Sequence, residues 1–335
     1  MLPTHLSVLE HSHGFVHAQI LSTAVELGIP DLLAAGPKTA EELASSAACD
    51  PGALHRLLRA AAVFDLVRLD KAGRFHSTRF TRVLETDHAS EAAAWCRYIG
   101  SASQQAAWVD LTESVRTGAS AFNRVHGVSM FDWFATHPDE GRHFSAGLGG
   151  LTLAEAPAIV AAYPWPNDGV VCDAGGGAGV LLAEILKARP RLQGILVESE
   201  GVLDQARPYL AAQGVAQRTE LSPGDLLGPL EVRADLYLLK WILHDWDDLA
   251  CKRIIRSIAK TMPSGTHLVV IEGDQGANRV DPRLSMIDLQ MLVVTPGGRE
   301  RSVDQIVQLL AAGGLLPGEV RRTSTGLVLV QGTKP

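Results

Sequence analysis

The chain has 335 residues, 46% hydrophobic and 20% charged, with a formal net charge of −7 and a pI near 5.9. This is the composition of a globular protein with a sizeable core, long enough for two domains. The acidic balance gives no electrostatic footprint for nucleic acid or an anionic membrane, and no apolar stretch approaches the roughly 20 residues that span a bilayer.

Cys49, Cys96, Cys172 and Cys251 are scattered, with no CxxC pair. That argues against a disulfide framework or zinc site and suits a reducing, cytoplasmic location. The N-terminus reads Met-Leu-Pro-Thr-His, without a basic segment followed by an apolar run, so no signal peptide is expected.

The first half reads as helical. Apolar residues at Phe15, Val16, Ile20, Leu21, Val25 and Leu27 define a helix that Gly28 ends. Thr39 and Glu42 form a capping-box pattern, and Asp50-Pro51 is an N-cap followed by proline at the first helical position. Leu66–Leu69, the turn Asp70–Gly73 and Arg74–Ser77 read as a small hairpin. Helix, helix, hairpin is the order of a winged helix, a module that binds DNA in some proteins and packs or dimerises in others. Helical segments follow at 89–99, 104–116 and 138–162. Between the last two, Phe122, Phe131, Trp133 and Phe134 gather a large share of the scarce aromatics. Core packing is one reading of them; a pocket wall for a flat, apolar ligand is the other.

After the stiff break Tyr163-Pro-Trp-Pro166, short apolar runs alternate with helical stretches. Strands are expected at 170–172, 195–198, 219–221, 235–239 and 267–271, with helices between them. Further helices are expected at 282–293 and 302–312, and closing strands at 319–322 and 327–331. This alternation specifies a mostly parallel α/β sheet with an antiparallel C-terminal edge.

Asp173-Ala-Gly-Gly-Gly-Ala-Gly179 follows the first of these strands and opens a helix. Its glycines, Gly175 and Gly177 among them, let a ligand approach the main chain. Glu198 ends the next strand 23 positions after Gly175, where a carboxylate can take ribose hydroxyls. Gly224-Asp225-Leu226 follows the third strand, an acid and an apolar residue fit to hold an adenine. The run Lys240-Trp-Ile-Leu-His-Asp-Trp-Asp-Asp248 then places His244 at a strand's carboxyl end, where a histidine can titrate near neutral pH and act as a base.

Taken together, Asp173-x-Gly-x-Gly-x-Gly179, Lys240–Asp248, Val269-Val-Ile-Glu272 and Pro296-Gly-Gly-Arg-Glu-Arg301 resemble class I S-adenosylmethionine-dependent small-molecule O-methyltransferases. The likeness is to the plant caffeate, hydroxyindole and bacterial natural-product type. It implies a Rossmann-like methyltransferase domain preceded by a mainly α, winged-helix dimerisation domain. The expected blocks are a dimerisation domain over 1–100, linking helices and pocket wall over 101–164, and a catalytic domain over 165–335. It implies His244 as catalytic base with Glu272 and Glu300 flanking it. Gly175, Glu198, Asp225, Leu226, Lys240 and Trp241 fall at cofactor positions, with Asp173, Gly177 and Gly224 beside them.

Phe131, Trp133, Asp288, Met291 and Leu292 are expected to line the acceptor pocket, with Asp245 on the acceptor side. S-adenosylmethionine is the implied cofactor, S-adenosylhomocysteine its product, with no metal; the expected partners are an aromatic small molecule and a second copy of the chain. The sequence departs from the family pattern at Glu198, where aspartate is usual, at Ala174 and Ala178, and at Leu148, which offers no thioether. Two other readings use the same residues: a methyltransferase-like protein that binds the cofactor yet hydroxylates or decarboxylates, and a winged-helix regulator with a ligand-binding α/β half.

Overall fold

The computed structural model describes residues 4, 8, 11–276 and 281–335. The leaderless reading of the N-terminus therefore falls largely outside the described residues. The chain forms two compact units, Met1–Gln105 with Phe134–Leu151, and Ala106–Trp133 with Thr152–Pro335. The stretch expected as one linking block contributes to both.

In the first unit, helices Gly14–Glu26, Ile29–Ala34, Ala40–Ala47 and Pro51–Val63 precede the hairpin of β1 (Val67–Leu69) and β2 (Phe75–Ser77). The capping box forms as read: Thr39 Oγ1 accepts from Glu42 N while Glu42 accepts from Thr39 N. Asp50 caps the helix after it through Ala53 N. Leu43, Leu58, Ile29 and Phe75, each at most 1% exposed, make the core. The helix Ile29–Ala34 is an addition to the sequence reading. Gly28 at φ +66 reads as a stop, but it also launches a second helix with Pro30 in its first turn.

In the second unit, β3 (Asp168–Ala174), β4 (Arg191–Glu198), β5 (Thr219–Pro223), β6 (Leu236–Lys240), β7 (His267–Glu272), β8 (Leu316–Arg322) and β9 (Val328–Thr333) form one sheet. Its order is β5-β4-β3-β6-β7-β9-β8. Strands β5 to β7 are parallel, and β9 and β8 close the edge antiparallel. Both faces are covered. Along β6, Tyr237 and Leu239 enter one apolar cluster and Leu236 and Leu238 the other, each at most 2% exposed. Such unbroken apolar strands are what a doubly covered parallel sheet requires. The strand order reverses between β3 and β6, and ligands of open α/β sheets bind at that switch point, outside the carboxyl ends.

Two expectations change. The helix expected over 104–116 is two, Ala102–Val109 and Leu111–Thr117. Asp110 stands at the break: its carbonyl opens the second helix by accepting from Glu113 N–H and Ser114 N–H, and Arg124 binds its carboxylate and carbonyl. The helix Pro138–Ala162, at 25 residues, meets the length and apolar composition of a membrane span, contrary to the reading that no stretch does. Its last turns belong to the core of the second unit: Ala156 and Ile159 are fully buried, and Glu155 is engaged by three side chains described below.

Candidate active site

The carboxyl ends of β3, β4, β5, β6 and β7 carry the loops that the sequence singles out. After β3 the glycine loop turns back on itself. Gly175 sits at φ +77, and a Cβ there would lie 2.5 Å from Ile242 Cδ1 and 3.0 Å from Leu226 Cδ1. Glycine is thus required by both backbone and space, and the loop lies against the first residues after β6. Gly177, at φ +59, has nothing within 4 Å of a Cβ, so the loop's crest is open. Its N–H donates to Glu198 Oε1 at 3.2 Å, and Ser199 N–H to Glu198 Oε2 at 2.9 Å. Those bonds orient the carboxylate that ends β4, and burial pushes its pKa up against them.

Asp173 is 1% exposed, and neither carboxylate oxygen has a hydrogen-bond partner in the structure. Burial pushes it up to about 7, with Lys240 pulling the other way. An orphaned buried acid under an open glycine crest is fitted to a cationic ligand such as a sulfonium or an ammonium. Asp225 forms a local turn through Leu227 N–H at 2.9 Å and is exposed, while Leu226 faces the loop. Gly224 N–H donates to Glu198 O, which joins the ends of β4 and β5.

The stretch after β6 is a tight turn with a 3-10 segment, Leu243–Asp245, before Asp247 caps the next helix through Ala250 N–H. Glu272, ending β7, holds this turn: its Oε1 accepts from Ile242 N–H at 3.1 Å and Leu243 N–H at 2.8 Å. Arg299 N–H donates to His244 O at 2.8 Å, and Arg301 donates to the carbonyls of Leu243 and Trp246. Arg301 is 3% exposed and also pairs with Asp248 at 2.8 Å. Gly298 packs on the turn, since a Cβ there would lie 2.5 Å from His244 O.

His244 is 9% exposed, and its Nδ1 lies 2.7 Å from Glu300 Oε1. A carboxylate at this distance accepts from Nδ1, so in the neutral ring Nδ1 carries the proton and Nε2 is the lone-pair nitrogen. Nε2 is 3.6 Å from Asp245 Oδ1, beyond hydrogen-bond length. Glu300 is itself held by Asp288, whose Oδ1 accepts from Glu300 N–H at 2.8 Å. Asp288, expected at the pocket wall, also supports the acid behind the histidine.

Burial by itself would lower the His244 pKa. The negative charges of Asp245, Glu300 and Glu272 outweigh it and push the ring up to about 10. Burial in turn pushes Asp245 up to about 6 and Glu272 up to about 7. Asp245 and Glu272 are thus easier to protonate than a solvated carboxylate, because burial disfavours their charged forms. His244, Glu272 and Glu300 also bring metal-ligand atoms within 4.8 Å of one another, a compactness invisible in a sequence that separates them widely. Nδ1 is committed to Glu300, and one Glu272 oxygen to two backbone amides.

On the other side of the turn, the side chains of Lys240 and Trp241 converge on Glu155, which sequence reasoning missed. Phe131 stacks on Trp246 at 6.3 Å, whereas Trp133 packs against Phe122 and His126. Phe134 belongs to the first unit, 6.2 Å from Tyr98. The aromatic cluster of the sequence is thus divided. Met291 is buried and Leu292 half-buried on the helix Pro282–Val294.

A doubly covered parallel sheet, a glycine loop with a ribose-type acid at its switch point, and a carboxylate-backed histidine beside them define a nucleoside-cofactor transferase of the α/β class. The O-methyltransferase domain family matches residues 108–315, and the O-methyltransferase dimerisation domain family matches residues 9–87. The chain belongs to this O-methyltransferase family and uses S-adenosylmethionine.

It is 38% identical to the mitomycin biosynthesis 6-O-methyltransferase of Streptomyces lavendulae, over 90% of this chain and 86% of that protein. It is 32% identical to a phenazine O-methyltransferase of Lysobacter antibioticus, over 98% and 96%. The solved structure of the mitomycin 7-O-methyltransferase MmcR superposes with a TM-score of 0.93 at 34% identity, covering 99% and 98%. A further relative, aclacinomycin 10-hydroxylase RdmB of Streptomyces purpurascens, is 34% identical over 92% and 83%.

Proposed function

We propose that the protein methylates a phenolic or related hydroxyl of an aromatic secondary metabolite, with His244 as general base. The observation that carries this is the 2.7 Å bond from His244 Nδ1 to a buried Glu300, which leaves Nε2 as the proton acceptor of the neutral ring. The relatives named for phenazine and mitomycin chemistry support the aromatic acceptor.

Bound over Gly175–Gly179, S-adenosylmethionine supplies a methyl group on an electrophilic sulfonium. Glu198 and Asp225 take the nucleoside, and Asp173 offers its unpartnered carboxylate to the cationic end. A phenol with a pKa of about 10 is mostly protonated at neutral pH. His244 Nε2 removes that proton as the oxygen reacts, a contribution of roughly 10²–10⁴-fold. Glu300 fixes the tautomer, and the surrounding carboxylates stabilise the imidazolium that results. Holding acceptor and methyl in line supplies on the order of 7–11 kcal/mol. Phe131, Trp133, Asp245, Met291 and Leu292 form the acceptor side, and the matched dimerisation domain pairs two copies of the chain.

The test is an assay with methyl-labelled S-adenosylmethionine against a panel of phenols and fused aromatic hydroxyls, read by product mass. A gain of one CH₂ is expected, and His244→Ala abolishes it while cofactor affinity stays near that of the wild type. The hydroxylase relative makes the other outcome concrete: a product gaining oxygen or losing CO₂ instead would replace methyl transfer.

A further inference from the structure

Glu155 lies near the end of the helix Pro138–Ala162, 2% exposed, and no motif marks it. Its carboxylate gathers three donors. Lys240 Nζ lies 3.1 Å from Oε2, Trp241 Nε1 donates to Oε2 at 3.2 Å, and Arg283 donates to Oε1. Thr152, one helical turn earlier, accepts from Lys240 Nζ at 2.9 Å. We propose that Glu155 is a positioning residue for the methyl-donor side of the site: its carboxylate aims Lys240 and Trp241 and ties the helix Pro282–Val294 to them.

Three features separate this from an ordinary salt bridge. First, a buried ion pair adds little net stability over an apolar pair of the same shape, so its value lies in the geometry it specifies. Second, the two residues it fixes are consecutive, at the tip of β6, beside the cofactor loop. Third, Trp241 has φ +53, a left-handed conformation rare for a bulky residue and costing on the order of 1–3 kcal/mol. Backbone bonds from Trp241 N–H to Ile271 O and from Ile242 N–H to Glu272 fix the turn, the indole–carboxylate bond anchors the side chain that leaves it, and the indole lies 4.9 Å from the His244 ring.

The charge of Glu155 also keeps Lys240 charged. The Lys240 side chain is 7% exposed; burial pulls its pKa down, Glu155 and Asp173 oppose that, and Arg283 adds to it. Burial pushes Glu155 up, and Lys240 and Arg283 outweigh it to hold the acid below its usual range. Glu155, Thr152, Asp173 and Arg283 are the polar and charged groups facing this ammonium. Without the Glu155 charge, Asp173 alone opposes burial and Arg283, so the Lys240 pKa falls further.

The inference rests on S-adenosylmethionine occupying the Gly175–Gly179 loop, which a wild-type calorimetric titration tests by itself. The decisive variant is Glu155→Gln, which keeps an acceptor for Trp241 and removes the charge. Its KM for S-adenosylmethionine is expected to rise roughly tenfold, the scale of one hydrogen bond to a charged group, with kcat at saturation changed far less. That KM is further expected to climb relative to the wild-type value between pH 6 and pH 9, so that the ratio of the two grows with pH.

Glu155→Asp restores the charge on an arm one methylene shorter, so the pH dependence returns to that of the wild type while a raised KM and a shifted tryptophan emission remain. Should Glu155→Gln fail to fold, Glu155→Asp decides. A wild-type KM for the cofactor in Glu155→Asp, or a folded Glu155→Gln with wild-type KM across that pH range, overturns the proposal.

Discussion

His244 carries the chemistry, and its partners set the pH at which it can act. The neutral ring is the base, and three acids push its pKa up to about 10, so the reactive form grows as pH rises. Glu300→Gln removes one of those charges, which lowers the ring's pKa. The rising limb of kcat against pH is therefore expected to move to lower pH. The plateau falls by roughly 10²–10⁴-fold, the worth of a well-placed base, because glutamine can present its NH₂ and select the wrong tautomer. A limb that stays in place with a weakly acidic phenol would remove Glu300 from the assignment.

Asp173 makes a second prediction at this scale. Its folded pKa, about 7, lies above the usual 3.8. The raised value means its favourable contribution is complete below about pH 4 and is lost as pH rises through 7. An unpartnered buried carboxylate then costs on the order of a few kcal/mol. Asp173→Asn should raise the melting temperature of the cofactor-free protein at pH 8 and change it little at pH 4, while weakening S-adenosylmethionine binding. Equal melting shifts at both pH values would contradict the burial assignment.

The 3-10 turn Leu243–Asp245 is the element that converts sheet geometry into catalytic geometry. Glu272, Arg299 and Arg301 take its amides and carbonyls, and Gly298 fills the space beneath it. A methyl at Gly298 meets the His244 carbonyl, which is backbone and cannot rotate aside; Thr295 Oγ1, also within reach, can. Gly298→Ala is thus expected to lower kcat by about tenfold or more, the cost of misplacing a reacting group, with S-adenosylmethionine affinity preserved. Gly201→Ala is the contrast: nothing lies within 4 Å of its Cβ, and a helical alanine should stabilise by about 0.5–1 kcal/mol with unchanged turnover. Equal kinetics in the two variants would show that the turn tolerates movement.

The contrast also shows what a sequence can carry. The glycine loop, Lys240–Asp248 and Pro296–Arg301 are contiguous runs, so their residues announce themselves together. Glu155 and the supporting role of Asp288 depend on chain separated by more than ten residues, and only folding brings them to the site. Arg301 stands inside a recognised run, yet its duty to the Leu243 and Trp246 carbonyls has no local signature.

For the whole molecule, alternation of apolar runs and helices specified the sheet, its direction and its antiparallel edge, because each strand sits between turn signals. The two discontinuous units were not legible, since the helix Pro138–Ala162 continues through a unit boundary without a break in its pattern. The first unit leaves apolar surface uncovered: Phe15 is 65% exposed, Val63 74%, Phe80 41% and Phe64 39%. His17, Leu21, Phe64 and Phe80 line a groove there, and Phe64 rests on the His17 ring. Exposed apolar residues this close together mark an interaction surface, and the match of residues 9–87 to a dimerisation domain makes a second copy of the chain the expected occupant. A stable interface of this kind buries about 800 Å² per partner, with a few large apolar residues carrying most of the energy. Sedimentation at micromolar concentration should give a dimer, and Phe64→Asp with Phe80→Asp should shift it to monomer without lowering the melting temperature of the second unit. A wild-type monomer, or a double variant that stays dimeric, would move the interface elsewhere.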